Sequence, residues 1–166
     1  MSDLRWENAI TEKIVQFLTE IGLEVRRGEA GPGTFLPGIK IDHGTIVIEE
    51  AMLKYPGDLL HEAGHLAVTP AKLRKARHLS VGKSAGEEMM AIAWSYAALV
   101  HLGLEPAVVF HADGYRGGSQ AIIENFSAGR YIGVPTLQWI GLTAEKKTAR
   151  EQGIDPFPHM IRWVRD

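Results

Sequence analysis

His61, Glu62 and His65 stand in the order His-Glu-x-x-His, with Ala63 and Gly64 between them. On an α-helix, residues four apart lie on one face a turn apart, so both imidazoles can give a ring nitrogen to a single ion. The ion this pattern suits is Zn²⁺, which lowers the pKa of the water it binds to about 7. Glu62 projects beside the two rings and is the expected general base, taking the proton as that water attacks a carbonyl. The competing explanation is two incidental helix histidines, which must also account for the surroundings.

Those surroundings describe a helix. Tyr55-Pro56-Gly57-Asp58 supplies helix-start chemistry and Thr69-Pro70 a stop. Leu59, Leu60, Ala63, Leu66 and Ala67 give the helix an apolar side to bury. Gly64 costs about 1 kcal/mol relative to Ala inside a helix, so its presence predicts that another backbone passes close by.

A third ligand must come from elsewhere in the chain. Residues 84–103 are apolar almost all round and predict a central buried helix ending at Gly103. Ser84 and Glu87 stand in the register of a capping box, in which the Glu side chain returns to the N-cap amide. Glu88 shares its stripe with Ala91, Ile92, Ser95, Leu99 and Leu102, which turns its carboxylate toward the core. A buried carboxylate must neutralise or find a cation, so Glu88 is the expected third ligand, with Glu87 the alternative.

A second constellation runs from His111 to Ser119 and includes Tyr115, Arg116 and three glycines. Carbonyl hydrolysis puts negative charge on the attacked oxygen, and His111, Tyr115 and Arg116 are candidates to stabilise it. The alternative is a surface loop with turn glycines and Ser119 as the N-cap of a helix to Phe126.

The order of a strand, an HExGH helix and a later Glu-led apolar helix resembles the gluzincin class of zinc metallopeptidases. More narrowly, Thr45-Ile46-Val47-Ile48, then Leu59 to Leu66, then Glu88 followed by Ile92-Ala93, is similar to the ImmA/IrrE family. The resemblance covers residues 44–98, and its sharp part is the HExGH motif. It implies His61, His65 and Glu88 as ligands and Glu62 as general base. It also implies a zincin-like fold, in which a sheet-edge strand borders the cleft and pairs with extended substrate backbone. By that analogy the strand is Gly44–Glu49.

The remaining chain completes an α+β expectation: a small, mostly antiparallel sheet packed on the HExxH helix and the central helix, with a helical C-terminal third. Trp6, Ile10, Ile14, Phe17 and Leu18 recur at helical spacing and predict a helix from Asp3 to Leu18. Residues 23–27, 35–41 and 45–48 alternate as strands, the last two around a turn at Asp42-His43-Gly44. His43 is expected to be a turn residue. Ala71 to His78 is a basic run, for which a solvated helix face competes with a phosphate or nucleic-acid patch, and His78 is a distant ligand candidate. Helices are expected over 136–140, 143–152 and 159–164, the last docking on the body or on a second copy of the chain in a homo-oligomer.

At 166 residues with 45% hydrophobic content, one domain is expected over 1–166, with a metal-site core at 44–103 and a C-terminal extension at 104–166. A formal charge of −2 gives no global drive toward nucleic acid or an anionic membrane. Cysteine is absent, so any metal is held by His and carboxylate groups, which favours a reducing compartment. The N-terminus lacks a signal-like pattern and no long apolar run occurs, so a soluble cytoplasmic protein is expected. The sequence therefore leads to a zinc-dependent metallohydrolase, a peptidase acting on a peptide or protein substrate. The alternative is a zinc-binding regulatory or interaction protein whose cleft is filled by the C-terminal third.

Overall fold

The computed structural model describes residues 5–79 and 84–166. In chain order it runs α1 (Ala9–Glu20), β1 (Val25–Arg27), β2 (Ile39–Asp42), β3 (Thr45–Ile48), α2 (Asp58–Val68), α3 (Ala71–Arg74), α4 (Ala85–Leu102), α5 (Pro106–Val109), α6 (Ser119–Ser127), α7 (Val134–Trp139) and α8 (Lys146–Gln152). Single 3₁₀ turns lie at Glu50–Met52 and Tyr115–Gly117. The class is α+β, as expected.

α2 and α4 form the interior. All 11 residues of α2 are buried, from Asp58 to the cap at Thr69, whose extended backbone before Pro70 ends the helix. α4 ends at Gly103, which takes the left-handed conformation (φ 68°) that glycine adopts without strain. The two helices cross at Gly64. A Cβ there would stand 3.0 Å from the Ala91 carbonyl oxygen and 3.2 Å from the Ala91 Cα, so the close backbone approach inferred from this glycine is present. Ser95, on the same face of α4, donates its hydroxyl to the Ala91 carbonyl at 2.6 Å.

The sheet differs from expectation in two ways. Its order is β1-β3-β2, with β2 antiparallel and β1 parallel to β3, so it is mixed and not mostly antiparallel. The chain from 28 to 38 returns across the sheet, which lets β1 lie alongside β3 with Val25 opposite Ile46 and Arg27 opposite Ile48. β3 is therefore the central strand, and β2 forms the edge that was expected of residues 44–49. The strand predicted from Phe35 shortens to Ile39–Asp42. Gly38 sits at φ +77° with its Cα against the Leu53 backbone, and Phe35 before it is 91% exposed.

The ends of the chain also depart from the periodicity. Within the described residues α1 starts only at Ala9, because the Asn8 side chain accepts the Ile10 and Thr11 amides and caps the helix there. The expected terminal helix at 159–164 does not form. Met160 instead bridges to Thr143, and the Ile161 N–H bonds to the Leu142 carbonyl at 2.8 Å. This extended segment docks on the body: the Trp94 indole donates to the Trp163 carbonyl at 2.8 Å, and the Arg165 N–H to the Ala67 carbonyl at 2.9 Å. Arg74, from the basic run, donates to the carbonyls of Leu66, Thr69 and Arg165 and so satisfies the C-terminal end of α2. Among the described residues no helix is long and apolar enough to cross a membrane.

Packing at the start of α2 yields a paired test. A Cβ on Gly57 would lie 2.0 Å from the Val108 carbonyl oxygen, although its φ of −62° suits any residue. Gly86, in the first turn of α4, has open space around it. Gly57→Ala should destabilise by about 3 kcal/mol through overpacking, and Gly86→Ala should stabilise by up to about 1 kcal/mol. Urea unfolding midpoints of the two variants measure both.

Candidate metal centre

The HExxH helix brings its chemistry to one point because α2 is buried on every side while both of its histidines meet partners from other elements. His61, Glu62 and His65 are 8%, 8% and 2% exposed. Buried imidazoles need partners for both ring nitrogens. For His65 these come from the start of α4: Nδ1 lies 2.8 Å from Glu87 Oε2, and Nε2 lies 2.8 Å from Glu88 Oε2. His61 Nε2 lies 3.3 Å from Glu88 Oε1, and its Nδ1 lies 3.1 Å from the Tyr115 hydroxyl. One ligating atom from each of His61, His65 and Glu88 falls within 4.8 Å of the other two.

This arrangement fits a zinc ion. Both Nδ1 atoms are held from behind, which leaves both Nε2 atoms facing Glu88. A carboxylate or hydroxyl on the far nitrogen is the arrangement that orients a metal-ligating histidine and fixes its tautomer. One ligating atom of each residue lies within 4.8 Å of the other two, a span that only small side-chain movements would close around a tetrahedral zinc, whose ligand atoms stand about 3.3–3.6 Å apart.

The two candidates for third ligand separate cleanly. Glu88 meets both rings, while Glu87 reaches only the back of His65 and is itself held by Arg77 Nη2 at 2.5 Å. The capping box forms by half: the Ser84 hydroxyl accepts the Glu87 amide at 3.1 Å, but the Glu87 carboxylate goes to His65 and Arg77. Glu88 arrives for a different reason from the one inferred. Its side chain is 42% exposed, at the rim of the site and not in the core.

The electrostatics follow from this packing. Burial opposes a charge on His65, but its hydrogen bonds to Glu87 and Glu88 outweigh that and raise its pKa to about 9. Burial would raise Glu88, yet its bonds to His61 and His65 win and hold it well below the usual carboxylate range. Glu62 moves the other way. Burial pushes its pKa up, helped by the nearby carboxylates of Glu88 and Asp58 and resisted by the two histidines. A carboxylate raised toward neutrality is a better proton acceptor at working pH than an ordinary surface Glu.

Of the second constellation, Tyr115 reaches the site, His111 reaches only Asp58 at the start of α2, and Arg116 reaches neither. The Tyr115 hydroxyl stands behind the His61 ring, at the nitrogen remote from Glu88, so it orients that ring and does not face it across the site. Burial, and then the carboxylates of Asp58, Glu88 and Glu62, raise the Tyr115 pKa well above its ordinary value, so it stays a neutral hydroxyl. His111 Nε2 lies 2.7 Å from Asp58 Oδ1, and its ring stacks on Tyr55 at 3.7 Å between centroids. Arg116 is exposed, with φ +53°, and among the described residues it has no hydrogen bond or ion pair to the site. Ser119 is the first residue of α6, not its N-cap, and its hydroxyl donates to the His111 carbonyl at 2.6 Å.

Asp58 was missed. It is 3% exposed and one turn before His61 and Glu62, and its pKa is raised by burial against the pull of His111. That i, i+3 and i+4 spacing is readable in the sequence, where Tyr55-Pro56-Gly57-Asp58 also reads as helix-start chemistry. Arg77 carried no comparable signal.

A cleft of about 340 Å³ is lined by Ala30, Pro32, Phe35, Leu36, the β2 residues Ile39 to Ile41, Glu62 and Leu79, among others; His61, His65 and Glu88 do not line it, and it meets the site through Glu62. Glu62 is the member of the HExxH motif that faces it.

No protein-family model, curated protein or solved structure matches this chain. The functional reading accordingly rests on the geometry of this site.

The His65 cluster predicts a pH signature once metal is stripped by a chelator. A raised pKa means stability present in full below the unfolded value of 6.5 and lost as pH climbs to about 9. A lowered pKa at Glu88 means stability present above 4.5 and lost as pH falls. The stripped protein should therefore melt highest between pH 4.5 and 6.5 and weaken steadily from 6.5 to 9. Thermal melts in EDTA should show that alkaline limb, and His65→Gln should flatten it.

Proposed function

We propose that this chain is a zinc-dependent metallohydrolase, a peptidase of the gluzincin kind with a zincin-like fold resembling the ImmA/IrrE family. The observation that carries this reading is the convergence of His61, His65 and Glu88, with Glu62 joining them to a cleft. His61 and His65 would hold the ion through their Nε2 atoms and Glu88 through its carboxylate. Bound there, zinc supplies Lewis acidity, lowering the pKa of water to about 7 and polarising a carbonyl.

The chain's own groups do the rest. Glu62, with its pKa raised by burial, takes the proton from the attacking water and passes it to the leaving amine. Glu87, held by Arg77, keeps His65 in the tautomer that presents Nε2, and Tyr115 does the same for His61. His111 has Nε2 on Asp58, Nδ1 buried and its ring against Tyr55, so it supports the start of α2 and offers no free nitrogen to the attacked oxygen.

A peptide substrate agrees with the walls of the cleft. β2 is an edge strand lining the same cleft as Glu62, although its Ile39 N–H and Ile41 carbonyl are already bonded to Leu36 and Leu79, so an extended backbone would meet only part of that edge. Phe35 and Leu79, 91% and 67% exposed, give the same cleft apolar surface for a substrate side chain. The alternative of a regulatory protein with a filled cleft finds less support, since the cleft's lining comes from residues 30–41, Glu62 and Leu79 and from no residue of the C-terminal third.

Purified protein should retain about one tightly held zinc per chain, and Glu62→Gln should keep that zinc while losing peptide hydrolysis by ~100-fold or more. Metal analysis and cleavage of a peptide library measure the two halves. Equal activity of wild type and variant on every peptide would overturn the peptidase assignment even with zinc present.

A further inference from the structure

A second group of ligating side chains lies at the β2–β3 turn, outside the centre built on α2 and α4. Asp42 and His43 come from the turn, and His78 from the segment after α3. His43 Nδ1 lies 2.8 Å from Asp42 Oδ1, and His78 Nδ1 lies 3.5 Å from the same oxygen. The rings stack at 4.0 Å between centroids with planes 26° apart, and both Nδ1 atoms lie near the one carboxylate oxygen. The other oxygen, Oδ2, is held by Arg26 at 2.7 Å, which fixes the carboxylate with Oδ1 turned to the rings.

The tautomers suit a ligand role. His78 Nδ1 accepts the backbone N–H of His43 at 3.3 Å, so its lone pair faces the turn and its proton sits on Nε2. That bond is long and easily exchanged for a stronger one. The backbone brings the two sides together without the side chains: the Gly44 N–H donates to the Arg77 carbonyl, and the Leu79 N–H to the Ile41 carbonyl, each at 2.8 Å.

We propose that Asp42, His43 and His78 form a second site for a divalent transition ion of the zinc class, which staples the β2–β3 turn to residues 77–79. Two imidazoles and one carboxylate are a donor set for that class, and the exposure of the rings leaves the remaining positions to water. Among the described residues His43 and His78 have no buried partners like those that orient His61 and His65, and loss of such partners typically weakens binding ~10–100-fold. The second ion therefore binds more weakly than the first and should leave on dialysis. The stapled segment carries Arg77, whose guanidinium holds Glu87 and through it His65.

The test is calorimetric titration of the full chain with Zn²⁺ after chelation and dialysis. Wild type should bind two equivalents, tight and weaker. His43→Asn, which tolerates the left-handed φ of 47° at this position, combined with His78→Gln should keep the tight one and lose the weaker. Glu88→Gln should weaken the tight one and leave the other in place, so failure of either site is seen separately. Hydrogen exchange at the Gly44 and Leu79 amides should slow as the second equivalent binds. A wild type that binds a single equivalent, or a double variant that binds two as wild type does, would overturn the proposal.

Discussion

His65 is a buried imidazole between two carboxylates, and much of the molecule is arranged so that it can be. A helix buried on every side has little tolerance for polar residues, and α2 carries Asp58, His61, Glu62 and His65. Each unpaired group would cost on the order of 1–3 kcal/mol or more, beyond what a fold of marginal stability can absorb several times over. The start of α4 must therefore stand where Glu87 and Glu88 reach His65, which sets the crossing of the two helices, and Gly64 against Ala91 is what lets them approach.

The partners of the site come in layers from distant parts of the chain. Arg77 fixes Glu87, Glu87 fixes His65, Tyr115 fixes His61, and Asp58 fixes His111. This accounts for a C-terminal third that is neither a lid nor a separate unit in its contacts. Its 3₁₀ turn delivers Tyr115, while its last residues satisfy the open carbonyls at the end of α2.

What the sequence made legible was local. The bounds of α2, the glycine that needs a neighbouring backbone, and the shared face of His61 and His65 all follow from spacing on a single helix, while Glu88 meets them by another route than its stripe implied. What it hid depended on choices among long-range partners. The capping-box register of Ser84 and Glu87 is real, but a buried histidine is a stronger partner for a carboxylate than an exposed amide, so Glu87 leaves the box half made. The stripe containing Glu88 pointed toward the core, whereas the residue sits at the rim. Alternation could not tell that β1 would pair parallel with β3 and displace it from the edge. Nor could it tell that residues 159–164 would exchange helical bonds for a bridge to Thr143.

The central claim is that His61, His65 and Glu88 share one zinc ion. A crystal structure with data collected on both sides of the zinc absorption edge tests it most directly. The account predicts one strong anomalous peak, bonded by His61 Nε2, His65 Nε2 and a Glu88 oxygen at about 2.0–2.2 Å, with a position left open toward the cleft. Zinc-loaded crystals with no peak among these three side chains, or with a fourth protein ligand closing the site, would contradict it.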